Sequence, residues 1–179
     1  MPSRSFRIHR VLSPLVACTI GVAVFTISVA SATASKPDFS SMKFMLGTWN
    51  CESSGSWSKA KIIENTTTFL DPAGYWMVTK IAQHSPTAGG PVTVTQMVTY
   101  DAERHQWVIL ATTDTGGYDV EVSPGWTNAA MSWTDALHGA TPESTMVVTK
   151  VSTTRYTTLG SLRDKSGKSF SISTTCNKA

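Results

Sequence analysis

Along the chain the rhythm of apolar and polar positions changes twice. Val11 to Ala30 carries no charged residue, Asp38 to Leu46 clusters its apolar residues, and from Gly47 onward apolar and polar residues alternate in short runs. Alternation with a period of two marks a strand with one face turned to a core. The runs are rich in Thr, Val, Tyr and Trp and are broken at close intervals by turn residues, which predicts antiparallel strands. They fall at about Thr48 to Ser53, Lys59 to Leu70, Tyr75 to His84, Val92 to Tyr100, Gln106 to Thr112, Tyr118 to Ser123, Ala129 to Asp135, Ser144 to Val151, Arg155 to Leu162 and Ser169 to Asn177.

The connections carry turn chemistry: DPAG at Asp71 to Gly74, TAGGP at Thr87 to Pro91, DAER at Asp101 to Arg104, DTGG at Asp114 to Gly117 and DKSG at Asp164 to Gly167. Glycine supplies positive φ and aspartate bonds to nearby backbone, so each reads as a hairpin. With no helical pattern between the strands, the expectation is an all-β protein, an antiparallel up-and-down barrel of about eight to ten strands. A short helical turn should precede it, capped by Asp38 and presenting Phe39, Met42, Phe44, Met45 and Leu46.

Alternation also assigns faces. Val92, Val94, Val98 and Tyr100 share a face with Gln96, and Tyr118, Val120 and Val122 oppose Asp119 and Glu121. The plain reading leaves those two acids on a solvated outer face. A polar cavity would reverse that assignment and aim them inward. Trp49 and Cys51 share a face of the first strand, as do Phe170, Ile172, Thr174 and Cys176 on the last, and a barrel that closes first strand to last makes the two cysteines neighbours.

The beginning of the chain changes the reading of charge. Arg4, Arg7 and Arg10 precede the uncharged run, and Ala32 and Ala34 supply a small-residue cleavage pattern, so residues 1–34 are expected to be an export signal and residues 35–179 a single domain. A retained spanning helix and lipidation at Cys18 are the rival readings of this segment. Without it the chain keeps twelve basic and twelve acidic residues and no net charge, which removes the case for a nucleic-acid partner. It also keeps only Cys51 and Cys176, expected to be joined as a disulfide in an oxidising compartment, periplasmic or extracellular.

The segment FMLGTWNC, Phe44 to Cys51, resembles the opening of the calycin superfamily, in which a helical turn leads into Gly-x-Trp at the start of the first strand; here these are Gly47 and Trp49. YDAERHQW, GGYDVEVSPGW and the terminal TTCNK look like secreted bacterial calycin-like barrels, related to lipocalins and nitrobindins. The resemblance implies a barrel whose tryptophan plugs one end. It departs from the nitrobindin type, since the Tyr-Pro-Thr-Ile stretch is absent and no histidine follows His138 to ligate haem late in the chain. No cofactor is specified.

Candidate ligand contacts are the aromatic residues Trp76, Trp107, Tyr118, Trp126 and Trp133 and the polar residues Lys80, Gln96 and Asp135, each on an otherwise apolar face or at a strand end. Lys150 shares the strand-end pattern and reads as a lysine reaching solvent along its stem. Asp135 has the parity of Met131 and Trp133 and is the acid expected to face inward, in a strand-end ion pair. His84, His105 and His138 read as loop or surface histidines, and no spacing suggests a metal site. SPGW at Ser123 to Trp126 reads as a rigid loop at a barrel mouth. No nucleophile elbow, phosphate loop or dinucleotide fingerprint occurs. The expected function is to hold a small apolar or amphipathic molecule inside an exported barrel, reached past the SPGW and TAGG loops. An isomerase- or cyclase-type enzyme of the same shape is the alternative, and a filled barrel of structural or partner-binding role is the third. Nothing in the sequence specifies an oligomeric state.

Overall fold

In the computed structural model, which describes residues 35–56, 58–85, 90–139, 143–163 and 166–179, the chain begins its architecture with a 3-10 helix, Ser40–Met45. Asp38 secures its start, accepting from the Ser40 backbone N–H at 2.9 Å and the Ser40 hydroxyl at 3.1 Å. The helix buries Met42 and Phe44, with Phe39 just before it. A piece this short is not stable in isolation, so this packing holds it.

Eleven strands follow: β1 (Gly47–Gly55), β2 (Ser58–Leu70), β3 (Met77–Ser85), β4 (Gly90–Asp101), β5 (Gln106–Thr113), β6 (Tyr118–Ser123), β7 (Trp126–Thr127), β8 (Ala130–His138), β9 (Glu143–Lys150), β10 (Arg155–Arg163) and β11 (Ser169–Lys178). Every long strand lies within three residues of its expected bounds, and the two-residue β7 is the addition. Neighbours pair antiparallel from β1 through β6 and from β8 through β11, β11 returns to β1, and β6 pairs with β8. Ten strands therefore close into a barrel, with β7 a short arm on β8. Closure leaves those ten strands without a free edge, which is the usual physical reason for an up-and-down sheet to curl shut.

The seam between the terminal strands is covalent as well as hydrogen-bonded. Cys51 stands directly opposite Cys176 in the β1–β11 register, and the two form a disulfide spanning 125 residues, with Cα atoms 4.1 Å apart.

The 3-10 helix plugs one end. Trp49 is fully buried, donates its Nε1–H to the Met45 carbonyl at 2.7 Å and meets Tyr156 edge-on at 4.9 Å. Phe39 packs on Trp107, and Phe44 on Trp126 and Tyr156. This aromatic set, with Met42, Met77 and Met131, forms the main hydrophobic core. Gly125 adopts a φ of 110°, open to glycine and strained for other residues, and so turns the chain tightly against the Trp107 indole.

The plug decides which end of the barrel is which. Strands run alternately toward and away from it, so the turn after β6, carrying SPGW, lies at the plugged end, where Trp126 touches Phe44. The β3–β4 connection lies at the other end, where Ser85 pairs with Gly90. SPGW and TAGG thus cannot flank one entrance, which corrects that expectation: with an odd number of strand steps between them, an up-and-down meander must send them to opposite ends. Thr87, Ala88 and Gly89 lie outside the described residues, as do Trp57, Asp164 and the expected signal segment with Cys18. Among the described residues no helix is long and apolar enough to cross a membrane.

Candidate functional site

Beyond the plug the barrel encloses a cavity of about 380 Å3. Its floor is Met42, Met45, Met131 and Trp126, and its middle walls are Val94, Val98, Ile109, Ala111, Met146 and Val148. Gly160 helps keep it open: a Cβ there would stand 2.8 Å from Ile172 Cγ2 on the neighbouring strand.

Toward the end away from the plug the lining becomes polar, in two groups on opposite walls. On β11, β1, β2 and β3, Ser53 donates to Glu64 at 2.7 Å and shares a hydrogen bond with Thr174 at 2.6 Å, and the Gln83 amide donates to the same Glu64 oxygen at 3.4 Å. On β6, β8 and β9, Ser144 donates to Glu121 at 2.5 Å and lies 3.1 Å from Asp119. Here Asp119 and Glu121 line the cavity, and Glu121 is buried. The outer-face reading of these two acids is therefore reversed. Hydrophobicity alone pointed the valines inward, but the hydroxyl of Ser144 supplies a partner that makes burial of the acids tolerable.

A β-bulge builds the rest of this wall. Val120 and Glu121 are adjacent on β6, yet their partners on β8 are Leu137 and Asp135, so Ala136 is an extra residue. Residues three apart on a regular strand face opposite sides, and the insertion restores His138 to the side of Asp135. The His138 Nδ1 then pairs with Asp135 Oδ2. The Asp135 side chain is only 8% exposed and, among the described residues, its Oδ1 is buried without a partner, as is Asp119 Oδ1. At the plugged end the Trp126 Nε1 is likewise buried and unpartnered.

The remaining candidates separate cleanly. Gln96, Tyr118, Trp126 and Trp133 line the cavity, Tyr118 from the rim, where its ring lies over the Cα of Gly139. Asp135 is paired with Glu121 between β6 and β8 but does not line the cavity; it lines a separate, smaller pocket with His138 and Glu143. Trp107 belongs to the packed end, between Phe39 and Tyr100. Lys80 and Trp76 do not reach the cavity: the inner face of β3 is Met77, Thr79, Ile81 and Gln83, and Lys80 is exposed outside. Both faces of β3 mix apolar and polar residues, so alternation could not choose between them. Inward threonines decided it, since Thr68 and Thr79 bond each other at 3.0 Å inside the sheet pair. Lys150 ends its strand exposed, with its ammonium 5.0 Å over the Phe44 ring. The cavity acid on β2, Glu64, was missed. The sequence carried no signal for it, because alternation sets Glu64, Thr66 and Thr68 against the apolar Ile63 and Phe69, and it is those two that the structure leaves exposed outside.

Burial raises the carboxyls of Glu64, Asp119 and Glu121 above their ordinary values; the serine bonds oppose this, the acidic neighbours reinforce it for Asp119 and Glu121, and His138 opposes it for Asp119. A carboxyl whose folded value is raised contributes stability that is fully present below its unfolded value and is lost as pH climbs through the folded one. Exposed turn acids such as Asp71, held down by backbone N–H bonds, act in the opposite sense at lower pH. The clean measurement is thus a difference. Glu121→Gln should gain stability over the unmodified protein as pH rises above the ordinary glutamate value of 4.5, in urea unfolding across pH. A gap that is flat or shrinks with pH would show that Glu121 carries no burial penalty.

Among the described residues no group of three His, Cys, Asp or Glu side chains is placed to hold a metal ion. No protein-family model matches the chain, and no curated protein matches it. Among solved structures it is similar to a redesigned β-barrel, at 12% identity and a TM-score of 0.43 over 81% of this chain and 99% of the other. It is also similar to an S-type phycobiliprotein lyase from Guillardia theta, at 8% identity and a TM-score of 0.44 over 76% of this chain and 89% of the other. At these scores neither likeness adds to what the strand pairings establish.

Proposed function

We propose that this protein is an exported calycin-like barrel that binds a small apolar or amphipathic molecule in its interior. The observation that carries the reading is the cavity. Its volume of about 380 Å3 falls in the range of small-molecule sites, and it joins an apolar floor to a few convergent polar groups. A barrel of similar strand number whose side chains met at the axis would leave no such space. The ligand body rests on Trp126, Trp133 and Met131, while Gln96 and Tyr118 offer polar contacts nearer the end away from the plug, which is the side of access. The basic and apolar N-terminal segment and the disulfide support export to an oxidising compartment, and the Gly47–Trp49 pair at a plugged barrel end supports the calycin assignment.

An enzymatic reading has one observation in its favour: carboxyls raised by burial beside a hydroxyl, in a cavity, can move protons. Binding comes first in either case. An uncharged apolar dye, N-phenylnaphthylamine, should bind saturably with enhanced fluorescence. Ala111→Trp, which fills the middle of the cavity, should weaken uptake by roughly tenfold or more, about 1.4 kcal/mol, while circular dichroism shows the barrel intact. No dye uptake by the unmodified protein, or uptake indifferent to Ala111→Trp, would reject the reading.

A further inference from the structure

The polar wall on β6, β8 and β9 has too many acceptors for its protons. Ser144 has one hydroxyl proton, and Glu121 and Asp119 both stand within reach of it. Among the described residues nothing donates to Asp119 Oδ1, which is buried, and the adjoining Asp135, paired with Glu121 and more than nine-tenths buried, leaves its own Oδ1 in the same state. Histidine 138 meets Asp135 through the other carboxylate oxygen, from a side chain that is 40% exposed. Among the described residues no lysine, arginine or histidine lines the cavity, whereas Glu64, Asp119 and Glu121 do.

A buried acceptor left without a donor is costly, and several converging acceptors call for a group that donates more than once. A protonated amine supplies up to three N–H donors from one atom and a charge opposite to that of the wall. We propose that the cavity selects amphipathic ligands bearing a protonated basic nitrogen, seated among Asp119, Glu121 and Ser144 with the apolar body directed toward the Met131 and Trp126 floor. This rests on the interior-binding reading above and adds the charge of the ligand head to it. Burial already holds the Asp119 and Glu121 carboxyls above their usual range, so the empty wall resists its own negative charge and a bound cation relieves it. The same wall repels a carboxylate head, and no cation among the described cavity-lining residues offsets that.

The test is displacement of N-phenylnaphthylamine at neutral pH by decylamine, decanol and decanoate, which share a chain and differ in the head. Decylamine should bind at least about tenfold more tightly than decanoate, with decanol between them, as hydrogen bonds to charged groups exceed neutral ones. Asp119→Asn with Glu121→Gln should reduce the decylamine-to-decanoate affinity ratio several-fold, a ratio from which any change in dye affinity cancels. Decanoate or decanol binding as tightly as decylamine, or a preference unchanged in the double variant, would overturn the amine assignment and leave interior binding standing. Uptake of neither the dye nor any of the three amphiphiles would overturn both.

Discussion

Replacing Cys51 and Cys176 together by alanine is expected to lower the unfolding free energy by about 3 to 5 kcal/mol. The bridge closes a loop of 125 residues, which covers most of the barrel, so the cross-link removes much of the freedom of the unfolded chain. It also sits where β1 and β11 close the ring, and both cysteines are buried, so the variant loses packing as well as constraint. Urea unfolding at equilibrium is the measurement, and thermal unfolding should show a drop of roughly 10 °C. Reduction of the unmodified protein in denaturant followed by refolding should reproduce the loss. A change under about 1 kcal/mol would mean that strand pairing closes the seam without help from the bond.

Trp49→Ala is expected to cost about 3 to 5 kcal/mol, the usual result of deleting a fully buried tryptophan. Three links depend on this side chain: the edge-on contact with Tyr156, the hydrogen bond to the Met45 carbonyl that ties the 3-10 helix to the barrel, and the stacking of Lys178 over the ring. Trp49→Phe separates them. It keeps an aromatic ring against Tyr156 but cannot donate to Met45, so a loss of about 1 to 2 kcal/mol is expected from the hydrogen bond alone, with a further share from reduced volume. Denaturant unfolding of both variants measures the two costs. If Trp49→Ala unfolds within about 1 kcal/mol of the parent, the plug is not held by its tryptophan.

The site was legible in the sequence only in part, and particular residues show why. Gln96 stood alone among valines on β4, and one polar residue on an apolar face pointed correctly to the interior. On β6 the same rule failed, because a cavity that accepts acids makes Asp119 and Glu121 the inner residues and Val120 and Val122 the outer ones. On β3 both faces are mixed, and the expectation that Trp76 and Lys80 face inward chose the wrong one. Hydrophobic alternation reports the interior only where the interior is apolar, and this barrel is apolar toward its plug and polar beyond it. The Asp135–His138 pair could not be read at all, since its parity depends on the Ala136 bulge, and a bulge is a property of two paired strands.

Strand positions, turns, the short N-terminal helix and the partnership of two cysteines on the first and last strands are matters of period, propensity and count, and the sequence by itself determined them. The end at which SPGW lies, the inward turn of Glu64, Asp119 and Glu121, the unpartnered oxygens of Asp119 and Asp135, and the space left between the walls were decided only by the tertiary structure. Each depends on which side chains meet across the barrel, and strands distant in sequence face one another there only once the ring has closed.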